Sequence, residues 1–169
     1  MATLVAAWLW GQPFMLSTRV LWELSRMPPP TMLPVPVKGV VPSQIADTFG
    51  APRGSDRTHA GVDIFANSGT PVLSATRGLV VSIRDTGLGG KQVWVLGPAR
   101  ERHYYAHLDD WSPGLEEGDV VMPGHVLGFV GATGNARGTP PHLHYGIYGA
   151  EGAYDPLPLM QSEPSPLQP

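Results

Sequence analysis

From residue 71 to residue 148 the chain alternates short apolar runs with turn residues, at the spacing of strands. The runs at 72–75, 79–84, 92–96, 103–106, 126–130 and 143–148 are each four to six residues long and dominated by β-branched, leucine or aromatic residues. Gly78, Gly87, Gly89-Gly90, Gly97-Pro98, Pro113-Gly114, Pro123-Gly124 and Gly138 punctuate them. No helix of more than two turns is predicted after residue 50. The pattern predicts an all-β domain of antiparallel strands folded into a compact sandwich or partly open barrel.

The flanks read differently. Residues 1–27 form an N-terminal segment whose first part, 2–18, carries no charge and is rich in Leu, Val, Ala, Trp and Phe. It is a candidate export signal or membrane anchor. The first basic residue is Arg19, however, after the apolar run, and Gly11-Gln12-Pro13 interrupts it. A loosely packed N-terminal helix, or a misplaced start, is the alternative. Residues 28–42, with Pro28-Pro29-Pro30, Pro34, Pro36 and Pro42, read either as an extended spacer or as a lead-in packed on the domain. The domain itself is expected over 43–155, opening with one short helical turn within 43–49. Residues 156–169 are a proline-rich tail, expected to be loose.

Composition narrows the class. The 169 residues include 21 Gly and 19 Pro, which fall between apolar runs rather than in repeats, as in a turn-rich β protein. A net charge of −3 without a basic stripe argues against a nucleic-acid partner. Cysteine is absent, which excludes disulfides and thiolate metal sites and leaves the compartment open.

The chemistry concentrates in two short motifs. His59-Ala60-Gly61-Val62-Asp63 sets a histidine and a carboxylate four residues apart, and Gly61 permits a tight path between them. Alone, that spacing is more often surface than site. His142-Leu143-His144 is more specific, because positions i and i+2 of a strand share a face, so both rings can reach one point. Two imidazoles and one carboxylate suit zinc and leave a fourth tetrahedral position for water, the arrangement of hydrolytic rather than structural sites.

Four motifs occur in order: Arg57-Thr58-His59-Ala60-Gly61-Val62-Asp63-Ile64, Tyr105-Ala106-His107-Leu108, Gly128-Phe129-Val130-Gly131-Ala132-Thr133-Gly134 and His142-Leu143-His144-Tyr145. Together they resemble the lysostaphin/LytM type of zinc metallopeptidase, over about residues 50 to 155. The resemblance implies the lysostaphin-like (duplicated hybrid motif) fold, with the site in a groove across the sheet. It implies one zinc per chain on His59, Asp63 and His144, with His107 and His142 beside the metal as catalytic residues. It also implies bacterial peptidoglycan peptides as substrate and an exported or membrane-anchored place in the cell envelope. Zinc brings the pKa of a water to about 7. A base must still take its proton, and an acid or donor must serve the oxyanion and the leaving amine. Those tasks fall jointly to His107 and His142.

Smaller expectations complete the reading. Tyr105 shares a face with His107 if the strand runs unbroken, though a core aromatic is the more natural reading. Arg57 is a candidate partner for the Asp63 carboxylate, and a surface arginine otherwise. His103 and His125 match no ligand position and are expected to be solvated. The 131–138 stretch lacks the Gly-Lys-Ser/Thr of a phosphate loop and reads as a loop shaping the groove. Two rivals to a peptidase remain: a catalytically silent relative that regulates other wall hydrolases, and a biotinyl- or lipoyl-type carrier. The only lysines, Lys38 and Lys91, lack the flanks a carrier needs.

Overall fold

The computed structural model describes residues 16–53 and 57–161. The expected apolar runs all lie in strands or at their ends, and three strands join them. The strands are β1 (Val62–Phe65), β2 (Pro71–Leu73), β3 (Gly78–Thr86), β4 (Gly90–Leu96), β5 (Arg102–Trp111), β6 (Val120–Val121), β7 (Val126–Val130), β8 (His142–Gly149) and β9 (Gly152–Tyr154). All pair antiparallel in one open sheet of order β1-β8-β5-β4-β3-β6, with β9 on β8. The architecture is the all-β one the sequence predicts, with an N-terminal helix.

Strand β5 is the pivot. Arg102 to Ala106 pair with β8, whereas Leu108 to Trp111 pair with β7, which in turn carries β2. His107 sits at the changeover with a left-handed φ of 64° and breaks the ladder. A bulge of this kind bends a strand and re-aims the side chain it carries. The alternation along each strand then divides the main sheet into two faces. Val62, Ile64, Val93, Val95, Tyr105, Leu143, Tyr145 and Ile147 point to the core, where all are essentially fully buried. Tyr105 therefore faces away from the groove, and its hydroxyl accepts a hydrogen bond from the Ala75 amide at 2.9 Å.

His103 lies on the same core face as Tyr105, two residues away. It is fully buried rather than solvated, with Nδ1 2.8 Å from the Tyr145 hydroxyl and no partner for Nε2. His125 is exposed, as expected. Burial pushes the His103 imidazole down to about 4. The unfolded chain, with a pKa near 6.5, therefore binds this proton first as pH falls. Stability is fully present above about pH 6.5 and is lost towards pH 4, by up to about 3 kcal/mol from this group. Denaturant melts from pH 7 to 4 are expected to show a smaller loss for His103→Phe than for the parent. Parallel losses would acquit His103.

The flanks are packed where they are described. Helix α1 (Leu16–Arg26) buries Val20 and Leu24 against Leu79 and Val120, and Glu23 pairs with Arg77 at 2.6 Å. Residues 1–15, on which much of the signal or anchor reading falls, lie outside the described residues. Among the described residues no helix is long and apolar enough to cross a membrane. In the proline-rich segment Leu33 and Val37 belong to the core, Val37 bridges Val72, and the Leu73 amide donates to Pro36 O at 2.9 Å. Prolines 34 and 36 fix an extended backbone while the residues between them pack, so this stretch is a lead-in rather than a free spacer. The helical turn expected within 43–49 is a 3₁₀ turn at Pro42–Gln44. Helix α2 (Leu157–Gln161) buries Leu157 and Met160, so the tail is packed as far as it is described.

Candidate metal centre and groove

The face of the sheet opposite the core carries the chemistry. In the β1–β8 register Asp63 lies directly opposite His144, and Phe65 opposite His142. Directly opposed residues of an antiparallel pair bring their side chains together on one face. His59 arrives from the turn before β1, where its amide donates to Ala51 O at 2.9 Å and its carbonyl accepts from Gly50 N at 2.8 Å. Gly61 is what lets this turn close on β8. A Cβ there would collide with the Tyr145 carbonyl and stand 3.0 Å from the His144 ring.

Three ligand-capable atoms thus converge. His59 Nε2 is 2.7 Å from His144 Nδ1 and 3.0 Å from Asp63 Oδ1, and His144 Nδ1 is 3.2 Å from that oxygen. Tetrahedral zinc at ordinary bond lengths separates its ligand atoms by about 3.3 Å. The cluster is close to that spacing. The donor set also fits in kind. His59 Nδ1 lies 2.7 Å from the Thr48 carbonyl, which can only accept, so that nitrogen carries the proton and Nε2 presents a lone pair to the cluster. Two ring nitrogens and a carboxylate oxygen that face one another in this way suit a cation.

Burial alone would raise the Asp63 carboxyl, but the His144 and His59 rings and the Arg53 guanidinium beside it outweigh burial and hold it well below the usual carboxylate range. The His144 imidazole is pushed below its ordinary value, chiefly by burial. Asp63 Oδ2, turned away from the cluster, is held by the Arg53 guanidinium. Arg57, the expected partner, lines the groove instead. The backbone explains the exchange. Residues 50–53 pair back on residues 57–59, with the Arg53 amide donating to Arg57 O at 2.9 Å, and this pairing brings Arg53 over Asp63.

His142 and His107 stand beside the cluster with ring centroids 5.1 Å apart, and His142 Nε2 is 3.9 Å from Asp63 Oδ1. Each gives its Nδ1 proton to a backbone carbonyl, that of Pro140 for His142 and of Thr133 for His107, both at 2.9 Å. Both Nε2 atoms are thereby left as lone pairs. Burial, aided by the neighbouring His142 and His144, lowers the His107 imidazole to about 4, so it is neutral at physiological pH. Thr133 belongs to the loop read from sequence as shaping the groove. Its hydroxyl donates to Leu108 O at 2.9 Å and accepts from the Lys91 amide at 3.0 Å, which ties the loop to β4 and β5.

These side chains lie in a groove of about 360 Å³. Ala106 on β5 is among the small residues that line it. One side is an aromatic wall that the sequence reading missed: Trp94 stacks on Tyr104 with centroids 4.2 Å apart, and Tyr148 tilts against Trp94 at 5.4 Å. Trp94 is set by Gln92, whose buried amide oxygen accepts the indole N–H at 3.1 Å. Burial raises Tyr104 to about 12, with Tyr148 adding to it, so its phenol is neutral.

An open antiparallel sheet carrying a His/Asp/His cluster in a groove defines a class of metallopeptidase-like proteins. Residues 57–156 match Peptidase family M23, and the chain belongs to that family of zinc metallopeptidases. It is 37% identical over 126 residues to the L-Ala–D-Glu endopeptidase of Bacillus subtilis (strain 168), covering 68% of this chain and 39% of that protein. It is 34% identical over 110 residues to lysostaphin of Staphylococcus simulans, covering 62% of this chain and 22% of that protein. The chain thus spans well under half the length of these relatives. Among solved structures, the catalytic domain of Staphylococcus simulans lysostaphin superposes with a TM-score of 0.62 at 32% identity, covering 70% of this chain and 92% of that domain. Helicobacter pylori Csd3 gives 0.64 at 31%, covering 82% of this chain and 37% of that one.

Proposed function

We propose that the chain is a zinc-dependent endopeptidase that hydrolyses peptides of bacterial peptidoglycan, acting in the cell envelope. The observation that carries this reading is the convergence of three ligand-capable atoms with two further imidazoles whose Nε2 lone pairs face the same groove. The relatives, an L-Ala–D-Glu endopeptidase and lysostaphin among them, support the substrate class.

His59 Nε2, His144 Nδ1 and Asp63 Oδ1 hold the metal. Zinc there supplies a Lewis acid and lowers the pKa of a water towards about 7. The chain's own residues do the rest. His59 is fixed in its ligating tautomer by Thr48, and Asp63 is kept ionised and oriented by Arg53. His107 and His142, each with its Nδ1 proton spent on a backbone carbonyl, take the proton of the attacking water at one Nε2. The imidazolium so formed donates to the oxyanion or returns the proton to the leaving amine. The aromatic wall holds the substrate backbone across these groups.

The test is metal content and wall-peptide cleavage measured together on the full chain. About one zinc per chain, with cleavage abolished by a chelator and restored by zinc, is the expected result. Zinc bound without cleavage of any wall peptide would overturn the enzymatic reading and leave a silent regulator.

A further inference from the structure

We infer that Thr48 is a positioning residue for the metal centre: with its carbonyl and its hydroxyl it clamps His59 and Asp63 together, so the stretch ahead of β1 is a part of the site. This rests on the reading of the His59/Asp63/His144 cluster as a zinc site and goes on to what sets its affinity. Thr48 lies outside residues 57–156, the part of the chain that matches the family. Its carbonyl takes the Nδ1 proton of His59 at 2.7 Å. Its Oγ1 accepts the backbone N–H of Asp63 at 3.0 Å. Both contacts leave from one residue, so any drift of His59 relative to Asp63 lengthens one of them.

The local sequence builds this clamp. The Ala51 amide closes a four-residue turn on the Thr48 carbonyl at 3.3 Å, and Gly50, with a left-handed φ of 73°, takes the third position, where such turns favour glycine. From there the Gly50 amide reaches the His59 carbonyl at 2.8 Å. On either side of Thr48, Ile45 is buried in the core and Phe49 packs against it. The clamp is therefore anchored on the body of the domain and not on the turn alone. Asp63 depends on it because β1 ends the sheet order. Strand β8 covers one side of β1, and the Asp63 amide turns to the other, where the Thr48 hydroxyl receives it. Asp63 is itself buried, and a buried amide that loses its acceptor drives the backbone to shift until it finds another. Any such shift moves the carboxylate relative to His59 Nε2 and His144 Nδ1, now 3.0 and 3.2 Å from Oδ1. Ligands held in place before the metal arrives bind it more tightly.

The experiment compares Thr48→Val, which keeps the branched shape and the carbonyl and deletes the hydroxyl, with Thr48→Ser, which keeps the hydroxyl. On the full chain, chelator competition for zinc is expected to give Thr48→Val a Kd about tenfold above the parent's, and Thr48→Ser a Kd within about threefold of it. Thermal melts of the metal-free chains are read alongside, and affinity is counted per folded chain. By linkage, zinc is expected to slow hydrogen exchange of the Asp63 amide about tenfold in the parent and far less in Thr48→Val. A Thr48→Val Kd equal to the parent's, even with a lower melting temperature, would overturn the inference and leave the zinc site standing. So would an equal loss of affinity in Thr48→Ser. A parent that binds no zinc would sink the site and the inference with it. The split between valine and serine in a chain that cleaves no wall peptide would keep the inference and sink the proposed activity.

Discussion

Replacing His107 or His142 with alanine is expected to cut turnover on wall peptides about 10²- to 10⁴-fold while leaving one zinc per chain in place. The two rings are adjacent to the metal cluster without completing it. His142 Nε2 is 3.9 Å from Asp63 Oδ1, and His107 stands 5.9 Å, centroid to centroid, from His144. Their Nδ1 atoms are spent on carbonyls of the chain, so removal of either ring takes away an Nε2 lone pair and no cluster atom. The double variant distinguishes joint from separate roles. If the two act as one proton-handling unit, its loss is expected to be far below the product of the single losses. Metal content equal to the parent in both single variants is essential. If either variant loses zinc as completely as His144→Ala does, the division between ligands and catalysts is wrong.

That the two histidines of the pair reach one point was legible in the sequence, because it depends on local periodicity; which of them would hold the metal was implied by the family resemblance alone. His142 and His144 share a face by the two-residue repeat of a strand, and β8 delivers it. What the sequence hid was set by irregularity or by reach. The left-handed residue His107 breaks the repeat in β5, so Tyr104 rather than Tyr105 joins it at the groove, beside Ala106. No composition signal marks that bulge. His103 was legible in principle, since it alternates with Tyr104 and shares the core face of Tyr105, but a histidine between an arginine and a tyrosine reads as polar. Strand β1 was hidden by its own function: its first three residues are buried, Asp63 among them, which masks the usual alternation. β6 and β9, of two and three residues, are too short to show a period. Arg53 has no sequence signal at all, because its long side chain reaches Asp63 only once residues 50–53 have paired with residues 57–59.

His144→Ala is expected to weaken zinc binding by well over 100-fold, more than the 10- to 100-fold typical of losing an outer hydrogen-bond partner, and Arg53→Ala is expected to fall within that smaller range. The ranking follows from what each touches. His144 contributes a cluster atom, and its ring beside Asp63 helps keep that carboxyl ionised. Arg53 touches only the outer oxygen, so its loss leaves the three cluster atoms present but Asp63 freer to turn. The pH dependence has a definite sign. Asp63 is held far below the usual carboxylate range, so it stays ionised through mild acid and is not the group that releases the metal. Protons compete instead at the ring nitrogens, so affinity falls as pH drops. Burial lowers the His144 pKa, which weakens that competition and moves release to more acidic pH than an exposed histidine would give. Chelator competition from pH 7.5 to 4 on the parent, His144→Ala and Arg53→Ala chains reads all three effects. A parent still fully loaded at pH 4, or Arg53→Ala as weak as His144→Ala, would mean that the histidines do not carry the site.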